Sequence, residues 1–160
     1  MLRFATVLFI VASAGAALGQ TGTSCPWVTS GTAERLLGGE VTVIARVDGN
    51  GAGSCSFVPR SGDSAASIEI LVGPMDTHPC LQDSLELKAL GNEAVQCRHS
   101  ISSSQQSDQI AGRIRKVFFV VTMTNVPGAS TQEPSDPRLA DSYGASPIER
   151  LAEQVVGNLY

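Results

Sequence analysis

The run Lys116-Val117-Phe118-Phe119-Val120-Val121-Thr122-Met123-Thr124 constrains this chain more than any other stretch. Strand periodicity puts Val117, Phe119, Val121 and Met123 on one face and Phe118, Val120, Thr122 and Thr124 on the other. Within the strand neither face carries a charge, which predicts a place inside a sheet with one face under a helix. The helix to cover it is expected at Ser146 to Tyr160. Ser146 caps, Pro147 takes the first helical position, and Glu149 closes a capping box. Ile148, Leu151, Ala152, Val155, Val156 and Leu159 then follow helical spacing. Strand and helix together predict an α+β fold. The expectation is an antiparallel sheet of about five or six strands, carrying a short N-terminal helix and a C-terminal amphipathic helix.

The first residues bear on compartment. Met1-Leu2-Arg3 supplies a positive charge, and Phe4 to Ala12 is an apolar stretch too short for a permanent membrane span. Small residues follow, ending in Ala17-Leu18-Gly19, so residues 1–19 read as a signal peptide with Gln20 as the mature N-terminus. Cys25 follows Gly22-Thr23-Ser24, whereas a lipobox needs a large aliphatic residue three places before the cysteine. The product is therefore expected to be secreted or periplasmic, with no membrane association after cleavage.

Residues 20–160 are one domain's worth of chain. They hold ten Lys and Arg against fifteen Asp and Glu, without charge blocks or a basic stripe interleaved with aromatics. Nucleic acid is a poor expectation for a partner, and so is an anionic membrane.

Cys25, Cys55, Cys80 and Cys97 are an even set in an exported chain, which reads as two disulfides with three possible connectivities. No C-x-x-C spacing supports a zinc knuckle or a thioredoxin-type motif. The sequential pairing, Cys25 with Cys55 and Cys80 with Cys97, is favoured because each pair brackets one half of the domain. Loop closure predicts roughly 3 kcal/mol from each bridge.

In chain order, Trp27 is expected to pack, and Thr29 or Ser30 to cap a short helix ending at Gly38-Gly39. Ala33, Leu36 and Leu37 form its buried face. Val41, Val43, Ala45 and Val47 alternate with Thr42, Ile44, Arg46 and Asp48 in a strand, which returns through Gly49–Gly53 into Ser54–Val58. The glycines have neither a helix N-terminus nor a lysine after them, so they read as a hairpin tip rather than a phosphate cradle. Ser67 to Gly73 is a third strand facing inward with Ile68, Ile70 and Val72. Leu81, Leu85 and Ala89 allow a helical turn or two. Ala94 to His99 reads as a short strand and Ser100 to Asp108 as a polar loop. Gly112 to Lys116 is open between a turn and a bulge. Residues 125–145, with three prolines and two glycines, read as a mobile surface loop.

The order Cys25-Pro26-Trp27, Leu36-Leu37-Gly38-Gly39, Ser54-Cys55-Ser56-Phe57, Leu90-Gly91-Asn92-Glu93-Ala94-Val95 and Leu151-Ala152-Glu153-Gln154-Val155-Val156 resembles small exported bacterial domains of unknown function. These include two-disulfide lipoproteins and sensor-like extracellular domains. The resemblance implies an α+β sandwich with Cys25 joined to Cys55, and it carries over no catalytic residue. The missing lipobox departs from the lipoprotein pattern.

Chemistry-bearing residues are sparse. Asp76, His78 and Cys80 are close in sequence, and His99 follows Cys97. If Cys80 pairs with Cys97, then His78, His99 and Asp76 are candidate metal ligands. No G-x-S-x-G elbow is present, and no carboxylate is nominated for acid–base work. Arg113, Arg115 and Lys116 form the one basic cluster, an edge face or a site for an anionic ligand. The expected role is non-enzymatic and without a cofactor. It is a cell-envelope module binding a small molecule or an envelope protein on the sheet face or beside the long loop. A metal-dependent or hydrolytic enzyme using His78, His99 and Asp76 is the alternative.

Overall fold

A computed structural model describes residues 20–61, 65–74, 80, 84–88, 90–102, 105–125 and 145–160. In order these form β1 (Gln20–Gly22), α1 (Ser30–Leu37), β2 (Val41–Val47), β3 (Gly53–Pro59), β4 (Ser67–Gly73), β5 (Leu85–Glu86), β6 (Glu93–Ser102), β7 (Gln105–Ile114), β8 (Val117–Thr124) and α2 (Pro147–Gly157). The fold is α+β. Among the described residues one antiparallel sheet holds eight strands in the order β1-β2-β3-β4-β8-β7-β6-β5. Two meanders, β1 to β4 and β5 to β8, thus meet at the β4–β8 pair.

β8 lies in the middle, as its uncharged faces require. Ile68 pairs with Met123, Ile70 with Val121 and Val72 with Phe119, and all six side chains are buried. The same face continues through Ala45, Cys55 and Phe57 on one side and Ile110 and Ile114 on the other. Both helices cover it. α1 lies on β2 and β3, and α2 lies on β7 and β8.

The caps set where each helix begins. Thr29 Oγ1 accepts from Thr32 N at 3.3 Å, and Gly38 ends α1 in the left-handed region at φ 79°. Ala33 is buried and Leu36 and Leu37 are partly so. At α2, Ser146 Oγ accepts from Glu149 N, while Glu149 Oε2 accepts from Ser146 N at 2.8 Å. Ile148, Leu151, Ala152 and Val155 are buried against the sheet. Asn158 Nδ2 donates to Trp27 O at 2.9 Å, which ties the end of α2 to the buried Trp27.

The two disulfides are Cys25–Cys55 and Cys80–Cys97, with Cα separations of 5.8 and 5.7 Å. The first fastens the segment before α1 to β3. The second brings Cys80 onto β6, on the face away from the helices.

Several sequence expectations are corrected. The strand count exceeds five or six partly because β1 and β5 are too short to show alternation. Leu85 belongs to a strand paired with Gln96 rather than to a helical turn. Ser100 to Asp108 is mostly strand, with β6 running to Ser102 and β7 starting at Gln105. This hairpin end carries polar residues on both faces, so hydrophobic periodicity is silent there. Cross-strand pairing holds it instead: Arg98 Nε donates to the nearly buried Asp108 at 2.8 Å, and Asn125 Oδ1 accepts from Gln106 N at 3.0 Å. Between Gly112 and Lys116 the chain makes a two-residue turn at Arg115 and Lys116, with Arg115 at φ 56°. The proposed leader over 1–19, the loop residues 126–144, and Leu81 and Ala89 lie outside the described residues. No helix among the described residues is long and apolar enough to cross a membrane.

Candidate functional site

Strand alternation leaves the face opposite the helices with Thr42, Ile44 and Arg46 from β2, Ser54, Ser56 and Val58 from β3, and Glu69 and Leu71 from β4. Phe118, Val120, Thr122 and Thr124 of β8 continue it, followed by Ser107, Gln109, Ala111 and Arg113 of β7. Its two halves differ. Towards β6 it is closed, with Cys97, Ala111 and Ser107 buried. Over β2 to β4 it is open: Ile44 is 50% exposed, Leu71 45% and Val58 38%.

Between the halves runs a groove of about 350 Å³, lined in part by Ser54, Ser56, Glu69, Leu71, Gln109 and Thr122. A smaller apolar depression of about 190 Å³ adjoins it around Leu71, Pro74, Phe118 and Val120. Gln109 Nε2 donates to Thr122 Oγ1 at 3.0 Å, which fixes the groove's amide in orientation. Hydroxyls and one carboxylate along an apolar floor suit contact with a surface carrying both apolar and donor groups.

The basic cluster is divided rather than gathered. Arg113 pairs with Glu93 and lies 5.9 Å from the Phe118 ring centroid. Arg115 lies over the Tyr160 ring at 5.5 Å, and its backbone N–H donates to Asn92 Oδ1. Lys116 is exposed at the turn. The arginines are thus already engaged within the chain, which argues against a single three-charge anion site.

Of the candidate metal ligands, Asp76 and His78 lie outside the described residues. His99 is placed: it follows Cys97 by two on β6, so both side chains share the face away from the helices. His99 Nε2 lies 3.2 Å from Cys97 Sγ, and the Cys80, Cys97 and His99 donor atoms fall within 4.8 Å of one another. With the two sulfurs bonded to each other, neither is a thiolate ligand in this state.

One feature escaped the sequence, and another hung on a disulfide pairing that the sequence favoured. The exposure of Ile44, Val58 and Leu71 depends on which face the helices choose, although Ile44 between Thr42 and Arg46 was a visible irregularity. The grouping of His99 with the sulfurs requires the Cys80–Cys97 pairing. No family model matches the chain, and neither the curated proteins nor the solved structures include a significant match.

Proposed function

We propose that this chain is an exported, non-enzymatic binding module of the cell envelope, secreted or periplasmic, which takes a protein partner on its open sheet face. The observation that carries this reading is the half-uncovered face of β2 to β4. Ile44, Val58 and Leu71 stand exposed there among Ser54, Ser56 and Glu69. A protein suits it better than a small molecule. Ile44 and Leu71 sit two strands apart, roughly 10 Å, and the groove beside Leu71 is lined by the hydroxyls of Ser54, Ser56 and Thr122, a form that fits an apolar interface core with a polar rim. The two disulfides fit an oxidising compartment. The leader-like residues 1–19 and the resemblance to small exported bacterial domains agree with export.

The test compares retention of envelope proteins by immobilised wild type, Ile44→Asp, Leu71→Asp and a helix-side control, Gln154→Ala. The expected result is a protein retained by wild type and Gln154→Ala and lost from both aspartate variants, with all melts alike. Equal retention by all four would overturn the sheet-face reading, as would a loss confined to Gln154→Ala.

A further inference from the structure

The Cys80–Cys97 disulfide and His99 form a group that the binding reading does not use. β6 holds Cys97 and His99 two residues apart, in register with Gln109 and Ser107 of β7, so both are fixed by the sheet. Cys80 reaches them from between β4 and β5.

The distances can be compared with what a metal demands. Tetrahedral zinc has bonds of about 2.3 Å to sulfur and about 2.0–2.1 Å to nitrogen, which sets sulfur–nitrogen edges near ~3.6 Å and a sulfur–sulfur edge near ~3.8 Å. His99 Nε2 is already 3.2 Å from Cys97 Sγ. Once the S–S bond is broken, the sulfurs must part from bonding distance to that sulfur–sulfur edge, and Cys80 Sγ, Cys97 Sγ and His99 Nε2 then make a triangle of two thiolates and one imidazole. Gln109 Oε1 lies 3.8 Å from Cys97 Sγ, next to this donor set.

We infer that Cys80, Cys97 and His99 are a redox-gated site for a thiophilic divalent cation such as zinc, closed in the disulfide form and open in the dithiol form. Opening needs a dithiol reductant. Its two thiols give up two electrons and two protons, the donor becomes a disulfide, and the Cys80–Cys97 bond becomes two thiols. The incoming cation then displaces both thiol protons and takes the unprotonated ring nitrogen of His99. In the reverse exchange a disulfide oxidant takes two electrons from the two thiolates and two protons from solvent to become two thiols, while the Cys80–Cys97 bond re-forms and the ion leaves. The same pair of cysteines thus reports the redox state of the compartment through metal occupancy.

The experiment titrates cobalt(II), a spectroscopic stand-in for zinc, into the full chain before and after anaerobic phosphine reduction. Thiolate-to-cobalt charge transfer is the readout. The oxidised chain is expected to give no such band. The reduced chain is expected to saturate at one cobalt per chain. Cys80→Ser abolishes the band, His99→Ala weakens binding by at least about tenfold, and Cys25→Ser leaves it unchanged. Three outcomes would overturn the proposal: no band in the reduced wild type, an affinity indifferent to His99→Ala, or a loss in Cys25→Ser equal to that in Cys80→Ser.

Discussion

If α2 is the roof of the core, truncating its buried stripe must cost far more than truncating its outer positions, and the structure orders the individual losses. Leu151→Ala removes three buried carbons, or about 2.4 kcal/mol at roughly 0.8 kcal/mol each. A sealed cavity adds more, which is why such truncations span about 2.7–5 kcal/mol. Leu151 lines a groove between the helices, shared with Thr32, Leu36 and Gln154, so the space it vacates opens into that groove instead of staying sealed. A loss near the low end, about 2.5–3 kcal/mol, is expected. Ile148 is wholly buried and stands away from the groove. Ile148→Ala is therefore expected to exceed Leu151→Ala, at about 3–5 kcal/mol. Gln154→Ala, on the groove's rim, is expected to change stability by less than about 0.5 kcal/mol. Urea melts of the three variants, compared at equal m-values, give the order directly. Equal and small effects from Leu151 and Gln154 would refute the reasoning and make α2 a peripheral appendage.

Three further expectations can be checked by the same melts. Ser146→Ala leaves Glu149 N without its cap and is expected to lose about 1 kcal/mol; an unchanged midpoint would mean water replaces the cap without loss. Gly112→Ala would put a Cβ 2.6 Å from the Phe119 ring and 2.8 Å from Glu93 O, whereas at Gly73 the same atom meets nothing. The first is expected to cost about 1–3 kcal/mol and the second to be neutral or slightly stabilising; equal effects would refute the close packing of Phe119 over Gly112. Asp48→Ala removes an acceptor for both Asn50 N and Ala52 N, each at 2.9 Å, and is expected to cost about 1 kcal/mol.

Much of this fold was legible because one face of the sheet is buried and period two reads it directly. Val41 to Val47 and Ile68 to Val72 show the alternation that burial demands, Val117 to Met123 is marked by its uncharged β-branched and aromatic run, and the Ser146–Glu149 box marks where α2 begins. Legibility stops where burial stops. Residues 98–102 and 105–108 pair as strands while carrying mostly polar side chains, and their pairing rests on the Arg98–Asp108 ion pair and backbone ladders that no hydrophobic pattern records. Gly112 to Lys116, open in sequence between a turn and a bulge, turns at Arg115 and Lys116, and Gly112, within β7, is the close-packed partner of Phe119. The two disulfides were readable from position, each closing one half of the chain.

The site was less legible than the fold for a reason that lies in the topology. Alternation states that Ile44 and Leu71 face the same side, but not whether that side meets a helix or water. Here both connections that carry helices, β1 to β2 and the one after β8, deliver them to one face. The opposite face receives, among the described residues, only Cys80 at its far end. Among the described residues, an apolar side chain on that face of β2 to β4 then has little cover, whereas its counterparts near β6 are buried. The contrast between exposed Leu71 and buried Val120, cross-strand neighbours in register on β4 and β8, marks the boundary. On one side of it the sheet is finished by its own chain. On the other, the apolar surface remains exposed, and covering it would bring hydrophobic gain to whichever partner does so.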